Sequence, residues 1–398
     1  MKQLPPLPRP PARSLPSRLS CPQDERQPEM TRPAPEFLWY YVTHDGPYPW
    51  EPGGRRDIKL PDVKALASAL DRLPYSGALL STTGHNVWVT GIAAATVTQD
   101  FRPLLALRPG ITSVTELANM AISFDDMFDG RLLINVINSE TPVWRQHGIR
   151  LENDERYDLH AEYWEVFNRL VAGETVTYHG EYVDVENAAG NPWVAPKRDH
   201  IPLWFSGSSP KALDVAGRFA DAYLTFAEPL GQLEKKTAAV RDRAAEYGRS
   251  PRIGLRASLI VGETDADAWR KANKLLASTS RSTLDRKLGL IAKGGNGGGT
   301  SVTQSRIFAH IPERGLAAIR AGDLPDARDL SHDENLWPGI SLLQQGPPMA
   351  LVGGYDSIVG RLKEYHAAGV DIFILDSMPL LEGAYEVAEH IIPALRDL

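Results

Sequence analysis

The chain has 398 residues, of which 42% are hydrophobic and 23% are charged, and its formal net charge is -7. The negative charge argues against a nucleic-acid partner, which would be repelled on average, and no apolar run approaches the ~20 residues that span a bilayer. Cys21 is the single cysteine, so a disulfide framework and a cysteine-based metal site are excluded. The histidines form no helical pair of the kind that binds a metal.

The first 35 residues differ in composition from the rest of the chain. They are rich in proline, carry scattered arginines and lack the apolar core of a secretion signal. We therefore expect a disordered extension over residues 1–35, a single domain over residues 36–398, and a cytoplasmic protein.

From Phe37 onward, short apolar runs alternate with amphipathic stretches. Most runs are continuously apolar, which is typical of parallel strands covered on both faces. Eight strands with intervening helices predict a (β/α)8 TIM barrel, and a doubly wound open sheet is the alternative. The open sheet is disfavoured because no G-x-G-x-x-G follows an early strand. The predicted strands are 37–43, 76–81, 103–107, 132–137, 203–206, 222–226, 254–261 and 371–375.

Two insertions interrupt this alternation. Residues 175–189 alternate around Gly180 and predict a β-hairpin. Residues 279–337 form a longer, irregular stretch that contains the glycine run 294–299, and a long loop with such a hinge favours an active-site lid.

The apolar run that begins at Ile201 ends in the small, hydroxyl-rich turn Gly207-Ser208-Ser209, just before a helix. Such a turn directs backbone N–H groups and the positive end of the helix at one spot, which suits a phosphate. An ordinary serine cap is the plainer alternative.

A family resemblance rests on short motifs that occur in the same order as in the family along most of the chain. The chain resembles the luciferase-like flavin monooxygenases, and within them the alkanesulfonate monooxygenase group. The matching segments, which run from about Phe37 to Leu398, are Trp39–His44, Tyr75–Gly77, Leu107–Pro109, Asp129–Arg131, Glu155–Tyr157, Gly207–Ser209, Tyr223–Pro229, Asn335–Gly339, Ala350–Gly353 and Gly369–Asp371.

The resemblance implies a TIM barrel that binds reduced FMN from a separate flavin reductase and uses a flavin peroxide, formed with O2, to oxygenate a small organic substrate. It implies that Tyr157 and the turn of Gly207, Ser208 and Ser209 hold the flavin phosphate. It places Asn135 near the flavin. It also implies a homodimer or homotetramer.

The same resemblance implies three catalytic residues at the mouth of the barrel. Arg256 matches an arginine at the substrate and peroxide site, where a charge that is never lost would stabilise an anion. His44 matches a position near the flavin, and His85 lies on a mouth loop where it could replace a lost base. The alternatives are a structural ion pair for Arg256, a surface role for Tyr157, a hydrogen-bonded histidine at a strand end for His44 and a solvated loop histidine for His85.

The substrate pocket departs from the sulfonate pattern. Ser258 and Met378 stand where the pattern has histidine and tyrosine, Gln344 replaces an arginine, and Phe226 replaces a tryptophan. The pocket therefore has fewer donors for a sulfonate, and we expect a less charged substrate, such as a specialised-metabolite intermediate. A deazaflavin-dependent oxidoreductase and a catalytically silent flavin-binding relative are the alternatives.

Overall fold

The computed structural model describes residues 32–139, 141–292, 307–344 and 349–396. Of the extension predicted at residues 1–35, only residues 32–35 lie within these ranges, and the glycine run 294–299 lies outside them.

Eight parallel strands close into a barrel, which confirms the predicted fold. Their order around the barrel is β10-β9-β6-β5-β4-β1-β14-β11, and β10 pairs with β11 to complete the circle. The strands are β1 (Glu36–Tyr41), β2 (His44–Asp45), β3 (Arg56–Asp57), β4 (Gly77–Leu80), β5 (Arg102–Leu107), β6 (Leu133–Val136), β7 (Thr175–His179), β8 (Asp184–Ala189), β9 (Leu203–Phe205), β10 (Ala222–Phe226), β11 (Arg252–Gly262), β12 (Leu336–Trp337), β13 (Ala350–Gly354) and β14 (Ile372–Asp376).

Alternate residues of each barrel strand point inward, as the two-residue period of a strand requires. Leu38 of β1 and Arg256 of β11 are both register partners of Ile374 on β14, which puts these three positions in one layer. The buried apolar side chains inside the barrel are Leu38, Leu79, Leu104, Ala106, Leu133, Trp204, Ala222, Leu224, Ile372 and Ile374. They pack the interior of the barrel, and active sites of this fold lie at the carboxyl ends of the strands.

Helices cover the outer surface of the barrel and pack through their apolar faces. The predicted Ser113 cap is present, because its hydroxyl accepts the backbone N–H of Glu116 at 3.2 Å. Among the helices that the structure describes, none has the length and apolar content needed to cross a membrane. The helices are α1 (Leu60–Arg72), α2 (Val87–Ala95), α3 (Val114–Met127), α4 (Thr141–Gln146), α5 (Asn153–Val171), α6 (Pro210–Phe219), α7 (Leu230–Ala245), α8 (Asp265–Ala277), α9 (Arg281–Ala292), α10 (Glu313–Ala321), α11 (Ile340–Leu343), α12 (Tyr355–Ala367), α13 (Leu380–His390) and α14 (Pro393–Arg396).

The first insertion is the predicted hairpin, in which β7 and β8 pair antiparallel with a bulge between Val176 and Tyr178. The second differs from the irregular, lid-like stretch expected at residues 279–337. Its described part contains α9 and α10, and α10 buries Leu316 and Ile319 at helical spacing in an apolar cluster beside β13. Burial of these side chains stabilises helices where composition predicts a loop.

Candidate active site

A buried polar group lies inside the barrel near the carboxyl ends of β11 and β14. Arg256 and Ser258 are two residues apart on β11 and so share its inner face, and Ser258 is the register partner of Asp376 on β14. Arg256 Nη2 lies 3.7 Å from Asp376 Oδ2, with the two side chains only 12% and 3% exposed. The positive charge of the arginine is therefore balanced by a carboxylate that is also buried.

Two aromatic rings determine the orientation of Arg256. Its Cζ lies 3.3 Å from the ring centroid of Tyr40 and 5.8 Å from that of Phe226. A planar guanidinium stacks well on such rings and keeps its N–H donors free at the edge. The structure thus brings two predicted site residues, Arg256 and Phe226, together with Tyr40.

Four atoms of this region are buried without a hydrogen-bond partner among the described residues. They are Arg256 Nε, Ser258 Oγ, Asp376 Oδ2 and, on β6, Asn135 Oδ1. Asn135 shares the inner face with its register partners Ala106 and Trp204. Buried polar atoms are normally paired, and each unpaired one costs about 1–3 kcal/mol. A polar ligand in the barrel would satisfy them.

Burial raises the pKa of Asp376, and the neighbouring Arg256 and Ser258 oppose this rise. Desolvation disfavours the charged form of a carboxylic acid, whereas a nearby cation favours it. Burial is the larger effect, and the ion pair with Arg256 limits the rise without reversing it. The carboxylate in return compensates the charge of the arginine.

The hydroxyl-rich turn joins β9 to α6. Gly207 has φ +142°, and a Cβ at this position would lie 2.8 Å from Ala212 Cβ and 3.3 Å from the Tyr157 hydroxyl. Only glycine adopts this backbone without strain. Ser209 caps α6 by accepting the N–H of Ala212 at 3.2 Å, and the Tyr223 hydroxyl donates to Gly207 O at 2.7 Å. The turn is held firmly at the amino end of the helix.

Tyr157 extends from α5 to this turn, so the structure brings together the residues predicted to hold a phosphate. Its ring is buried against Phe205, and its hydroxyl forms no hydrogen bond within the described part of the chain. A cavity of about 380 Å³ opens beside Ser208, with the exposed Lys235 on its wall. The turn therefore borders open space rather than packed core.

Two arginines near the mouth of the barrel, one on a loop and one in the first turn of α5, add positive charge. Arg108, which follows β5, donates to Ser139 Oγ at 2.6 Å, and Arg156 of α5 donates to Ser139 O at 3.1 Å. Neither forms an ion pair within the described ranges, which omit Glu140. Together with the helix terminus, they make this side of the mouth attractive to an anion.

The two predicted catalytic histidines lie in the segments that follow β1 and β4: His44 is on the short strand β2, and His85 is on the loop before α2. His44 is half-buried, and burial together with nearby Arg55 lowers its pKa. His85 is exposed, and its backbone N–H donates to Thr43 Oγ1 at 2.7 Å. The adjacent Asp45 accepts the N–H of Leu380 at 2.8 Å, which ties the first mouth loop to the last one.

The other two predicted pocket residues, Gln344 and Met378, lie farther along the chain. Met378 is partly buried against the main core, two residues after Asp376. Gln344 ends α11, and its backbone oxygen accepts a hydrogen bond from the Lys287 ammonium at 2.7 Å. Burial lowers the pKa of Lys287 to about 8. A buried cation thus lies beside the position where the sulfonate pattern has an arginine.

Sequence reasoning missed Asp376, Tyr40 and the pair of mouth arginines. Asp376 is a polar residue at the carboxyl end of a barrel strand, a position typical of functional residues, but the strand was predicted to end at Leu375. Tyr40 lies two residues after Leu38 on β1, so strand periodicity alone would have put it inside the barrel.

Comparisons with known proteins agree with this geometry. The family model described as luciferase-like monooxygenase matches residues 36–372. Similar solved structures include DmoA from Hyphomicrobium sulfonivorans, with 18% identity and a TM-score of 0.71 over 92% of this chain and 88% of that one. Another is the oxygenating constituent of 3,6-diketocamphane monooxygenase from Pseudomonas putida in complex with FMN, with 16% identity and a TM-score of 0.62 over 91% and 98%. A coenzyme F420 dependent tetrahydromethanopterin reductase from Methanopyrus kandleri matches with 16% identity and a TM-score of 0.62 over 92% and 100%. At these identities the structures establish the fold.

Proposed function

Because the chain belongs to the luciferase-like monooxygenase family, we propose that it is a two-component monooxygenase that uses reduced FMN and O2 to oxygenate an organic substrate. A separate flavin reductase supplies the reduced FMN. The family supports flavin-dependent oxidation; the reduced state, the reductase and a homodimeric or homotetrameric assembly are parts of the proposal.

The observation that carries this proposal is the convergence of Tyr157 on the turn at Gly207. The turn presents backbone N–H groups and the hydroxyls of Ser208 and Ser209 at the amino end of α6, a site suited to a phosphate. A side chain at Gly207 would crowd both Ala212 and Tyr157. The residues therefore fit the phosphate end of FMN.

The interior of the barrel fits the other end of the cofactor and the substrate. The flavin ring, when bound, supplies the redox chemistry that activates O2. Asn135 offers an unpaired amide oxygen on the barrel wall, where it would accept a hydrogen bond from a ring N–H. Arg256 offers fixed guanidinium donors, so it would orient a polar group or stabilise negative charge that develops during the reaction.

Burial of the site contributes by excluding water. Arg256 and Asp376 are buried near the carboxyl ends of their strands, above a layer that contains Leu224 and Ile372. Electrostatic interactions are stronger in such an environment, and side reactions with water are suppressed. His44 and His85, on the mouth loops, would carry protons between this interior and solvent.

The test is anaerobic titration of the full-length protein with reduced FMN, followed by mixing with oxygenated buffer in a stopped-flow spectrometer. We expect saturable binding and a flavin reoxidation trace that differs from that of free reduced FMN. Absence of binding, or reoxidation indistinguishable from the free cofactor, refutes the proposal.

A second candidate function uses a deazaflavin as a hydride carrier on the same barrel. The similarity to a coenzyme F420 dependent reductase supports it. Parallel titrations with FMN and F420 separate the two, because tighter binding of F420 by tenfold or more favours the hydride carrier.

A further inference from the structure

The charges of Arg256 and Asp376 inside the barrel affect which charge a substrate can carry. Asp376 lies 3.7 Å from Arg256, and its side chain is 3% exposed. The carboxylate is therefore part of the same buried group as the arginine to which we assign the polar end of the substrate. An anionic group bound to the Arg256 guanidinium would lie within a few ångströms of this second negative charge, in an interior where charges are screened poorly.

The hydrogen-bonding capacity of the unpaired atoms indicates which kind of ligand would fit. Arg256 Nε is a donor, Asp376 Oδ2 is an acceptor, and Ser258 Oγ is both. A neutral group that carries an oxygen acceptor beside an O–H or N–H donor, such as a hydroxyl, an amide or a sulfonamide, would pair with the arginine and the aspartate at once. A sulfonate or carboxylate has no donor to offer Asp376.

The rest of the pocket is apolar. Phe226 and Tyr40 enclose the guanidinium. Leu38 and Ile374 lie beside it in the same layer of the barrel. Nothing in this layer compensates a second negative charge. The walls suit the hydrocarbon part of a substrate whose polar end reaches the buried pair.

We propose that Asp376 is a specificity-determining residue that neutralises Arg256 and restricts the pocket to uncharged organic substrates with a donor and an acceptor at one end. This proposal rests on the proposed function, because that function is what assigns the substrate to the interior of the barrel. It excludes small alkanesulfonates as preferred substrates.

The test uses a matched pair of probes, hexane-1-sulfonamide and hexane-1-sulfonate, which differ in charge but hardly in shape. Binding to the full-length protein is measured by isothermal titration calorimetry at neutral pH, where the sulfonamide is uncharged. We expect the wild type to bind the sulfonamide at least tenfold more tightly than the sulfonate. We expect Asp376→Asn to raise the affinity for the sulfonate at least tenfold and so remove or reverse the preference.

Asp126→Asn is the matched control, because Asp126 is exposed on α3 and its substitution changes the net charge by the same amount. It should leave both affinities unchanged. Equal or tighter binding of the sulfonate by the wild type overturns the proposal and requires no variant to fold. An unchanged probe ratio in a folded Asp376→Asn protein also overturns it.

A separate anaerobic titration with reduced FMN distinguishes this proposal from the function on which it rests. Failure to bind reduced FMN contradicts the proposed cofactor, whatever the probe ratio. Normal FMN binding with a preference for the sulfonate contradicts the role of Asp376 alone.

Discussion

Replacement of Tyr157 by phenylalanine tests the phosphate site with little disturbance of the fold. The ring is buried against Phe205, whereas the hydroxyl has no hydrogen-bond partner among the described residues and lies next to Gly207. Tyr157→Phe keeps the ring packing and removes only the donor. We therefore expect an unchanged melting temperature and a selective loss of flavin affinity.

The size of this loss follows from one hydrogen bond to a charged group, which contributes about 1.5–3 kcal/mol. At about 1.4 kcal/mol for each factor of ten, the Kd for FMN should rise roughly 10- to 100-fold. Anaerobic calorimetric titration with reduced FMN measures this Kd, and Tyr385→Phe, at a side chain that is 51% exposed on α13, is the control. A Kd for Tyr157→Phe within threefold of the wild-type value refutes the assignment of this hydroxyl to the phosphate.

Three further substitutions test the turn, the core and a buried ion pair. Gly207→Ala should cost about 1–3 kcal/mol of stability through backbone strain and weaken FMN binding at least tenfold by crowding Tyr157, whereas Gly248→Ala, also at positive φ but with open space around it, should leave FMN binding unchanged in the same titration. His160 is fully buried, and burial lowers its pKa to about 3; because an unfolded histidine titrates near 6.5, the unfolded state takes up a proton that the native state does not, and stability falls by about 1.4 kcal/mol per pH unit between about pH 6 and 4. His160→Phe should remove this contribution to the pH dependence of the free energy of unfolding, measured by urea denaturation between about pH 6 and pH 4. A pH dependence equal to that of the wild type would contradict the reasoning. Asp125→Asn leaves the Arg198 guanidinium without its carboxylate and should lower the free energy of unfolding by about 3 kcal/mol without changing the Kd for FMN; a change in that Kd would show that the pair supports the site.

The barrel could be predicted because most of its eight strands are apolar runs between turn residues, with few polar residues such as Asn135 and Arg256 inside them. Helix α2 carries apolar residues on all sides and lacks the period that marks an amphipathic helix, so local pattern did not reveal it. The helices of the second insertion were missed because the composition around the glycine run favours a loop. The stability of α10 comes from Leu316 and Ile319, which pack in a cluster with residues distant in sequence.

Part of the candidate site could also be predicted from local sequence, and part could not. The turn from Gly207 to Ser209 is local in sequence, so its suitability for a phosphate could be predicted from residue types alone. The approach of Tyr157 depends on the packing of α5 over β9 and was implied only by the family resemblance. The pairing of Arg256 with Asp376 depends on the register between β11 and β14, which no local pattern determines.

A crystal structure of the full-length protein with FMN tests the central claim most directly. We expect the phosphate within hydrogen-bond distance of the Tyr157 hydroxyl and of the Ser208 and Ser209 N–H or hydroxyl groups, with the flavin ring toward Asn135. A phosphate bound elsewhere, or a turn that remains empty at saturating FMN, would contradict the assignment of this turn as the cofactor site.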